Sequence, residues 1–331
     1  MYKSLEEFRR NYCFTYIDVG ARRAVKSTLL KLFPNSTWIG FEPAIDECAL
    51  INSKKQNGQE CFPYALSDKS GIQTLYITKS PDWSSLYEPN PEIFIQFKGL
   101  KDFYKAVDNY QVSLKSLDEL IKSSDNSLAN ADYMKLDTQG SEADILNGSQ
   151  VLISTSIIGV EVEVEFIPLY KKQPLFDQIH KVMMDNGFLL FDLKRSRCIR
   201  SGFTTDIDTK GQLIWGDALY LKDFSTLITN NNYDKLLVLL LVAMELGFPD
   251  YSVSILKAML ANKIVSTEIQ QEVHQLMNRL GVRQRRKAGL VEVIAKLPNG
   301  RKFLKYLRRL IDDNYEHIVK LGFPEYYFRR D

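Results

Sequence analysis

The sequence has few cysteines, no long apolar run and little net charge. Its four cysteines lie far apart in 331 residues without paired spacing, so we expect buried or incidental thiols in a reducing compartment and no disulfide framework or structural zinc site. No stretch approaches the ~18 consecutive apolar residues of a membrane-spanning helix. Charged residues at positions 6–10 stand where a signal peptide would need an apolar core. We therefore expect a cytoplasmic protein without a transmembrane segment.

The composition is that of a folded protein of about two domains. Hydrophobic residues make up 45% of the chain and charged residues 25%. The formal net charge of +2 does not favour nucleic-acid binding. Residues 279–309 are rich in Lys and Arg with almost no acidic residue between them. This segment is either a solvated surface or a contact for an acidic partner or an anionic lipid surface, and it lacks the interleaved aromatics that stack on nucleic-acid bases.

Short β-rich runs alternate with helical patterns from about Phe14 to Leu221, which indicates a sheet built from βαβ units with helices on both faces. The predicted strands are Tyr16–Val19, Trp38–Phe41, Tyr133–Leu136, Ile158–Val164, Leu189–Phe191 and Ala218–Leu221. Apolar spacing predicts helices at Ser27–Phe33 and Phe176–Met184. From Phe224 onward the chain is predicted to be all helical. We therefore expect two domains, 1–223 and 224–331.

Glycine and acidic residues follow the first two predicted strands. Asp18 and Gly20 end the first strand, and Glu42 follows the second about twenty residues later, the spacing at which an acidic side chain binds ribose hydroxyls. A simple turn would explain the first pair alone, but the spaced glutamate favours an adenosine-containing ligand. Gly20 is followed by Ala21 and Arg22, without the further glycines of a dinucleotide site. The pattern therefore favours S-adenosylmethionine, whose ammonium Asp18 could pair and whose carboxylate the loop amides or Arg22 could bind.

Carboxylates at other strand ends are candidates for acid–base chemistry. Asp137 follows the predicted strand at Tyr133–Leu136, and Glu142 comes five residues later. Glu161, Glu163 and Glu165 alternate with valines and so share one face of a strand that should be covered. Glu165, nearest the carboxyl end, could equally line the acceptor site or pair with a basic residue across the sheet, whereas simple pairing is favoured for Glu161.

A set of short segments, in this order, resembles the FkbM family of S-adenosylmethionine-dependent methyltransferases. The segments are Asp18-Val19-Gly20-Ala21, Gly40-Phe41-Glu42-Pro43, Ala65-Leu66-Ser67-Asp68, Ser84-Ser85-Leu86, Ser116-Leu117-Asp118, the run from Lys135 to Glu142, and Pro168-Leu169-Tyr170. The resemblance covers about Phe14 to Leu221. It implies an α/β class I methyltransferase fold, with a Rossmann-like, mostly parallel seven-stranded sheet and one antiparallel strand. An all-helical C-terminal appendage would follow this sheet.

The resemblance also implies roles for individual residues. It places the Asp18 loop at the methionine moiety, Glu42 at the ribose, the Ala65 segment beside adenine, and Asp137 with Gln139 at the transferred methyl. The expected cofactor-binding residues are Asp18, Gly20, Ala21, Arg22, Glu42, Pro43, Ala65, Leu66, Ser67 and Asp137. The candidate catalytic residues are Asp137, Gln139, Glu142 and Glu165, and the candidate acceptor-binding residues are Ser84, Ser85 and Tyr170. No metal is expected. Arg22 and Arg23 stand where the family often has another glycine, so the methionine pocket is expected to differ in shape.

The activity expected from this resemblance is O-methylation of a hydroxyl on a sugar, a glycan or a natural product. N-methylation of a peptide and a non-catalytic protein that binds an adenosine ligand are the alternatives. A nicotinamide-dependent oxidoreductase on the same sheet is disfavoured by the missing glycines. For a hydroxyl acceptor, the protein must hold the oxygen about 3 Å from the methyl carbon and remove one proton.

Overall fold

The computed structural model describes residues 2–22, 27–123, 128–204, 209–275 and 278, together with the backbone of 316–319. Its strands are β1 (Thr15–Val19), β2 (Thr37–Phe41), β3 (Gln59–Phe62), β4 (Ala65–Leu66), β5 (Gly71–Thr78), β6 (Ala106–Lys115), β7 (Tyr133–Leu136), β8 (Gly159–Glu165), β9 (Phe188–Cys198), β10 (Gln212–Lys222) and β11 (Glu316–Val319). Its helices are α1 (Leu5–Asn11), α2 (Ile45–Ser53), α3 (Pro91–Phe94), α4 (Leu100–Phe103), α5 (Leu117–Ser123), α6 (Glu142–Asn147), α7 (Gln150–Thr155), α8 (Phe176–Asp185), α9 (Phe224–Thr229), α10 (Tyr233–Glu245) and α11 (Pro249–Ala261). Residues 267–275 are also helical. Within these residues, no helix is long and apolar enough to cross a membrane.

The main sheet has the strand order β3-β2-β1-β7-β8-β10-β9-β11. Strands β3, β2, β1, β7 and β8 are parallel neighbours, and β10 is antiparallel to both β8 and β9. Apart from β11, this is the seven-stranded sheet with one antiparallel strand that the resemblance implies, so the expected fold is confirmed. A second sheet, β4-β6-β5, follows β3 along the chain.

Both faces of the main sheet are covered, so the side chains of β1 and β7 are buried on both sides. Ile17 and Met134 face a cluster formed with α6, α7 and α8. On the opposite face, the rings of Tyr16 and Tyr133 stack with centroids 5.4 Å apart, in the cluster that contains α1, α10 and α11. The alternation of side chains along each strand thus assigns every second residue to one of two cores.

The helix predicted at Ser27–Phe33 is wrong, because this segment forms only a 3-10 turn at Thr28–Lys31. Pro34 disfavours helical geometry at the residue before it and leaves the run too short to extend. The face of the sheet is filled instead by α10, in which every residue from Leu236 to Met244 is buried. A helix that is apolar all round belongs inside a core. Leu29 of the turn packs in the same cluster as α10.

Helices α9 to α11 confirm the predicted helical character of the chain after Phe224. The strand β11 departs from the all-helical prediction, since it pairs in parallel with β9. An edge strand offers unpaired backbone groups to any segment that reaches it. The boundary at residue 223 stays a prediction, although α10 shares a core cluster with the sheet. The basic segment 279–309 lies outside the described residues, so its acidic partner also stays a prediction.

A buried polar network joins α10 to the sheet. The Lys235 ammonium donates to Asp132 Oδ1 at 2.6 Å and to the carbonyl of Asn130 at 2.9 Å. Tyr12 Oη donates to the same carboxylate oxygen at 2.6 Å, and the Thr15 amide donates to Asp132 Oδ2 at 2.8 Å. Asp132 is fully buried. Burial raises the pKa of Asp132 and lowers that of Lys235, while their mutual attraction opposes both shifts.

We expect Lys235→Met to lower the free energy of unfolding by about 3–5 kcal/mol, because removal of one partner leaves a buried charge without compensation. The measurement is urea unfolding followed by circular dichroism. Lys181→Met is the matched control, since Lys181 forms an exposed pair with Asp185 and its loss should cost less than about 1 kcal/mol. Equal losses in the two variants would contradict the structural role of the network.

Candidate active site

A cavity of about 440 Å³ lies at the carboxyl ends of β1, β2, β7 and β8. This edge is where ligands bind in open α/β sheets. The second sheet contributes Leu75 and Ile77 to the opposite wall, and the turn Pro81–Trp83 covers one side. The cavity is thus bounded by the main sheet below and by the segment between β3 and β7 above.

The cavity collects most of the residues predicted from the sequence. Those that line it are Gly20, Arg22, Glu42, Pro43, Ala65, Leu66, Ser84, Asp137, Gln139 and Glu165. The others lie behind this layer and are Asp18, Ala21, Ser67, Ser85, Glu142 and Tyr170. Any effect of the second group on a bound ligand is therefore transmitted by residues of the first group.

Gly20 brings the loop after β1 against the loop after β7. Its φ is +78°, and a Cβ at this position would lie 2.0 Å from the carbonyl oxygen of Asp137. The amides of Gly20 and Ala21 both donate to the carbonyl of Phe41, at 3.0 and 3.1 Å. Only glycine satisfies both the positive φ and the close backbone approach. At this edge of the cavity, the loops after β1 and β7 therefore meet through their backbones, with no side chain between them.

Glu42 ends β2 and faces the cavity with a buried carboxylate. Its Oε1 accepts a hydrogen bond from the Ala44 amide at 2.9 Å. Desolvation raises the pKa of Glu42, while that hydrogen bond and the nearby Arg22 charge oppose the rise. Arg22 donates to the carbonyl of Pro81 at 3.1 Å, and its Nε lies 3.7 Å from Asp82 Oδ1. Arg22 thus links the loop after β1 to the turn that covers the cavity.

The structure does not bring Asp18 to the cavity, contrary to the expectation that it pairs with a ligand ammonium. Asp18 is fully buried and accepts a hydrogen bond from Trp38 Nε1 at 3.2 Å. The indole reaches Asp18 because its strand neighbour Gly40 has no side chain, and a Cβ there would lie 2.2 Å from the Trp38 ring.

Gln139 is a fully bonded bridge between two carboxylates. Its Nε2 donates to Asp137 Oδ1 at 3.3 Å and to Glu163 Oε2, and its Oε1 accepts from Tyr170 Oη at 3.0 Å. Ser85 Oγ donates to the backbone carbonyl of Gln139 at 2.6 Å. The φ of Gln139 is +63°, a strained value that non-glycine residues hold when their surroundings impose it. Ser85 and Tyr170, predicted to contact the acceptor, hold this bridge instead.

Glu142 stabilises the turn after β7 rather than facing the cavity. Its Oε1 accepts from the amide and hydroxyl of Thr138 at 2.7 and 2.8 Å, and its Oε2 accepts from the Gly140 amide at 2.8 Å. Burial raises the pKa of Glu142 to about 7. Both oxygens of Glu142 are thus hydrogen-bonded to the turn, and its predicted role as a base stays a prediction.

Glu165 differs from Glu142 because one of its carboxylate oxygens accepts no hydrogen bond from the described residues. It is only 1% exposed, it lines the cavity, and its Oε2 has no hydrogen-bond partner among the described residues. Desolvation raises the pKa of Glu165 well above its usual range, and the charges of Glu142 and Asp137 raise it further, while a hydrogen bond from the Gln173 side chain opposes the rise. A buried acceptor oxygen without a donor is costly unless a ligand supplies one. This oxygen is therefore suited to accept a proton.

The sequence did not point to three other residues of the cavity wall, which are Tyr104, Lys135 and Trp215. Trp83 lies 4.0 Å from Tyr104 and 6.0 Å from Trp215, measured between ring centroids, and all three line the cavity. Trp215 pairs with Glu165 across β10 and β8. Had the last strand been extended back from Ala218, its antiparallel direction would have carried Trp215 to this edge. Lys135 donates to Asp137 Oδ2 at 3.1 Å.

Comparisons with known proteins match the chain to one family. The family model described as the methyltransferase FkbM domain matches residues 18–190. A methyltransferase FkbM from Methylobacillus flagellatus KT is 10% identical over 64% of this chain and 44% of that one, with a TM-score of 0.35. Magnesium protoporphyrin IX methyltransferase from Synechocystis PCC 6803 is 10% identical over 63% and 69%, with a TM-score of 0.31. Precorrin-6y C5,15-methyltransferase from Geobacter metallireducens GS-15 is 9% identical over 66% and 86%, with a TM-score of 0.32. No curated protein matches.

We expect Gly20→Ala to distort the cavity, because the added methyl group would collide with the Asp137 carbonyl at a positive φ. The free energy of unfolding should fall by about 1–3 kcal/mol. Gly71→Ala is the matched control, since nothing lies within 4 Å of a Cβ at that position. Thermal melting monitored by circular dichroism compares the two variants. A Gly20→Ala protein as stable as Gly71→Ala would argue against the close approach of the two loops.

Proposed function

Because the chain belongs to the FkbM family of methyltransferases, we propose that it transfers the methyl group of S-adenosylmethionine to a hydroxyl on a sugar, a glycan or a natural product. The observation that carries the choice of a hydroxyl is the partnerless Oε2 of Glu165 in the cavity. A neutral amine attacks a methyl group without losing a proton first, whereas a hydroxyl needs a base as its oxygen attacks. A buried carboxylate with a raised pKa is suited to that task.

The residues of the cavity fit S-adenosylmethionine as the cofactor. The carboxylate of Glu42 would accept hydrogen bonds from the ribose hydroxyls, and the apolar side of Ala65 and Leu66 would face adenine. The open backbone at Gly20 and the guanidinium of Arg22 suit the amino-acid end. When bound, S-adenosylmethionine supplies an electrophilic methyl group on a positively charged sulfur.

Glu165 acts as the general base in the proposed reaction. Its Oε2 binds the acceptor hydroxyl and takes its proton as the new oxygen–carbon bond forms and the carbon–sulfur bond breaks. Gln139 holds Glu163 and Asp137 in place through its hydrogen bonds to both carboxylates. The rings of Trp83 and Trp215 exclude water and offer flat apolar surfaces to the acceptor. Alignment and proton removal are therefore the protein's main contributions.

We expect Glu42→Ala to weaken binding of S-adenosylhomocysteine by about ten- to a hundredfold, because hydrogen bonds to a charged group are worth roughly 1.5–3 kcal/mol. Isothermal titration calorimetry measures the effect. Glu47→Ala is the matched control, since Glu47 lies near Glu42 on α2 but does not line the cavity. An unchanged dissociation constant in Glu42→Ala would refute the ribose assignment.

We expect Glu165→Gln to lower turnover by about 10²- to 10⁴-fold, the usual contribution of a general base, while S-adenosylhomocysteine still binds. Turnover is measured by mass spectrometry on a panel of methyl glycosides, hydroxylated natural products and peptides. In the unaltered enzyme the rate should fall as the pH drops through the raised pKa of Glu165, because the protonated carboxyl accepts no proton.

Glu161→Gln, on the same face of β8 but away from the cavity, should keep both the rate and its pH profile. Full activity in Glu165→Gln would rule out its role as base. Methylation of peptide nitrogen alone would overturn the proposal of a hydroxyl acceptor.

A further inference from the structure

The end of the cavity next to β7 and β8 is dominated by carboxyl groups. Asp137, Glu163 and Glu165 all line this end. Among the described residues that line the cavity, only Arg22 and Lys135 are basic. Arg22 contacts Asp82, and Lys135 donates to Asp137. The three carboxyl groups, which we call the carboxyl cluster, therefore outnumber the positive charges that face them.

Further acidic groups surround the carboxyl cluster on every side. Glu142 approaches from α6 and Asp217 from β10, while the hydroxyls of Tyr104 and Tyr170 lie near both glutamates. Desolvation first, and then these like charges, raise the pKa of Glu163 and of Glu165. A group in such a position holds its proton until a positive charge arrives. The Oε2 of Glu165 has no hydrogen-bond partner among the described residues, so no described ammonium or guanidinium group donates to it.

The strand order brings the charge of the methyl donor to this cluster. This inference rests on the proposed function, which places the ribose at Glu42 after β2. The remainder of the donor would then extend across the end of β1 toward β7 and β8. Neighbouring strands lie about 4.8 Å apart. The sulfur is bonded directly to the ribose C5′, so the sulfonium would lie over the ends of β1 and β7, within one or two strand spacings of the carboxyl cluster. At this distance in a dry cavity, a unit charge interacts strongly with a carboxylate.

We infer that the carboxyl cluster selects the methyl donor by its charge, binding the sulfonium of S-adenosylmethionine in preference to the neutral thioether of S-adenosylhomocysteine and releasing a proton as the sulfonium binds. Methyl transfer then removes the positive charge. The carbon–sulfur bond breaks, the oxygen–carbon bond forms, and the hydroxyl proton passes to the cluster, which regains its affinity for a proton at that moment. The neutral product loses the attraction that held its precursor, so product inhibition is weak.

The test compares the two ligands by isothermal titration calorimetry between pH 6 and pH 8, in phosphate and in Tris. We expect S-adenosylmethionine to bind on the order of tenfold more tightly at pH 8 than at pH 6, with proton release seen as a dependence of the heat on the buffer. Between pH 6 and pH 8, the dissociation constant of S-adenosylhomocysteine should change by less than about twofold. The α-ammonium group of each free ligand is titrated separately, and its contribution is subtracted before the two ligands are compared.

Single substitutions locate the effect. Glu163→Gln and Glu165→Gln should each reduce the preference for the sulfonium severalfold and diminish the proton release, whereas the control Glu161→Gln should leave both unchanged. Sinefungin, which carries an amine in place of the methylsulfonium, should behave like S-adenosylmethionine. Circular dichroism checks that each variant folds, and the comparison in the unaltered protein stands without them.

Two outcomes separate this inference from the proposed function. If both ligands bind with the same affinity and the same proton balance, charge selection is refuted while the methyltransferase proposal stands. If neither ligand binds, the assignment of the cavity to the cofactor fails, and charge selection fails with it.

Discussion

The close approach of two backbones, Gly20 after β1 and Asp137 after β7, is the constraint on which the site depends. It places the loop that should hold the amino-acid end of the cofactor directly beside the loop that carries the candidate catalytic side chains. Had either loop been displaced by a side chain, the ends of β1 and β7 would separate, and Glu42 and Glu165 would no longer border one cavity. The loops after β1 and β7 can therefore meet only because Gly20 has no Cβ.

Several residues behind the cavity wall hold other residues of the site in place. Ser85, Tyr170 and Glu142 all hydrogen-bond to the segment 138–140 and impose the strained φ of Gln139. The cavity therefore has an inflexible floor, formed by the loop after β7, and a roof that consists of the turn at Pro81–Trp83. The inflexible floor suits a reaction in which alignment contributes most of the rate.

The positions of the central strands were predictable, because strands such as β1 and β2 are short runs rich in apolar residues, and β8 alternates Glu with Val. The cavity residues Glu42 and Asp137 were predictable for the same reason. The strand β6 could not be found this way, because its first six residues are exposed and show no apolar alternation. The contact between Asp18 and Trp38 depends on tertiary packing over Gly40, which no local pattern reveals. Likewise, only the structure separates Glu165, with its partnerless oxygen, from Glu142, whose oxygens are all used.

The helix α10, which lies after the last strand of the methyltransferase sheet in the sequence, is part of the core of that sheet. Its apolar surface and the Lys235–Asp132 pair complete a face of the sheet that the short turn at Thr28–Lys31 leaves uncovered. A chain that ended at residue 223 would expose Tyr16, Tyr133 and Leu221 to water. Synthesis on the ribosome must therefore proceed well past the catalytic strands before this core can close, and chaperones would meet an incomplete sheet until then.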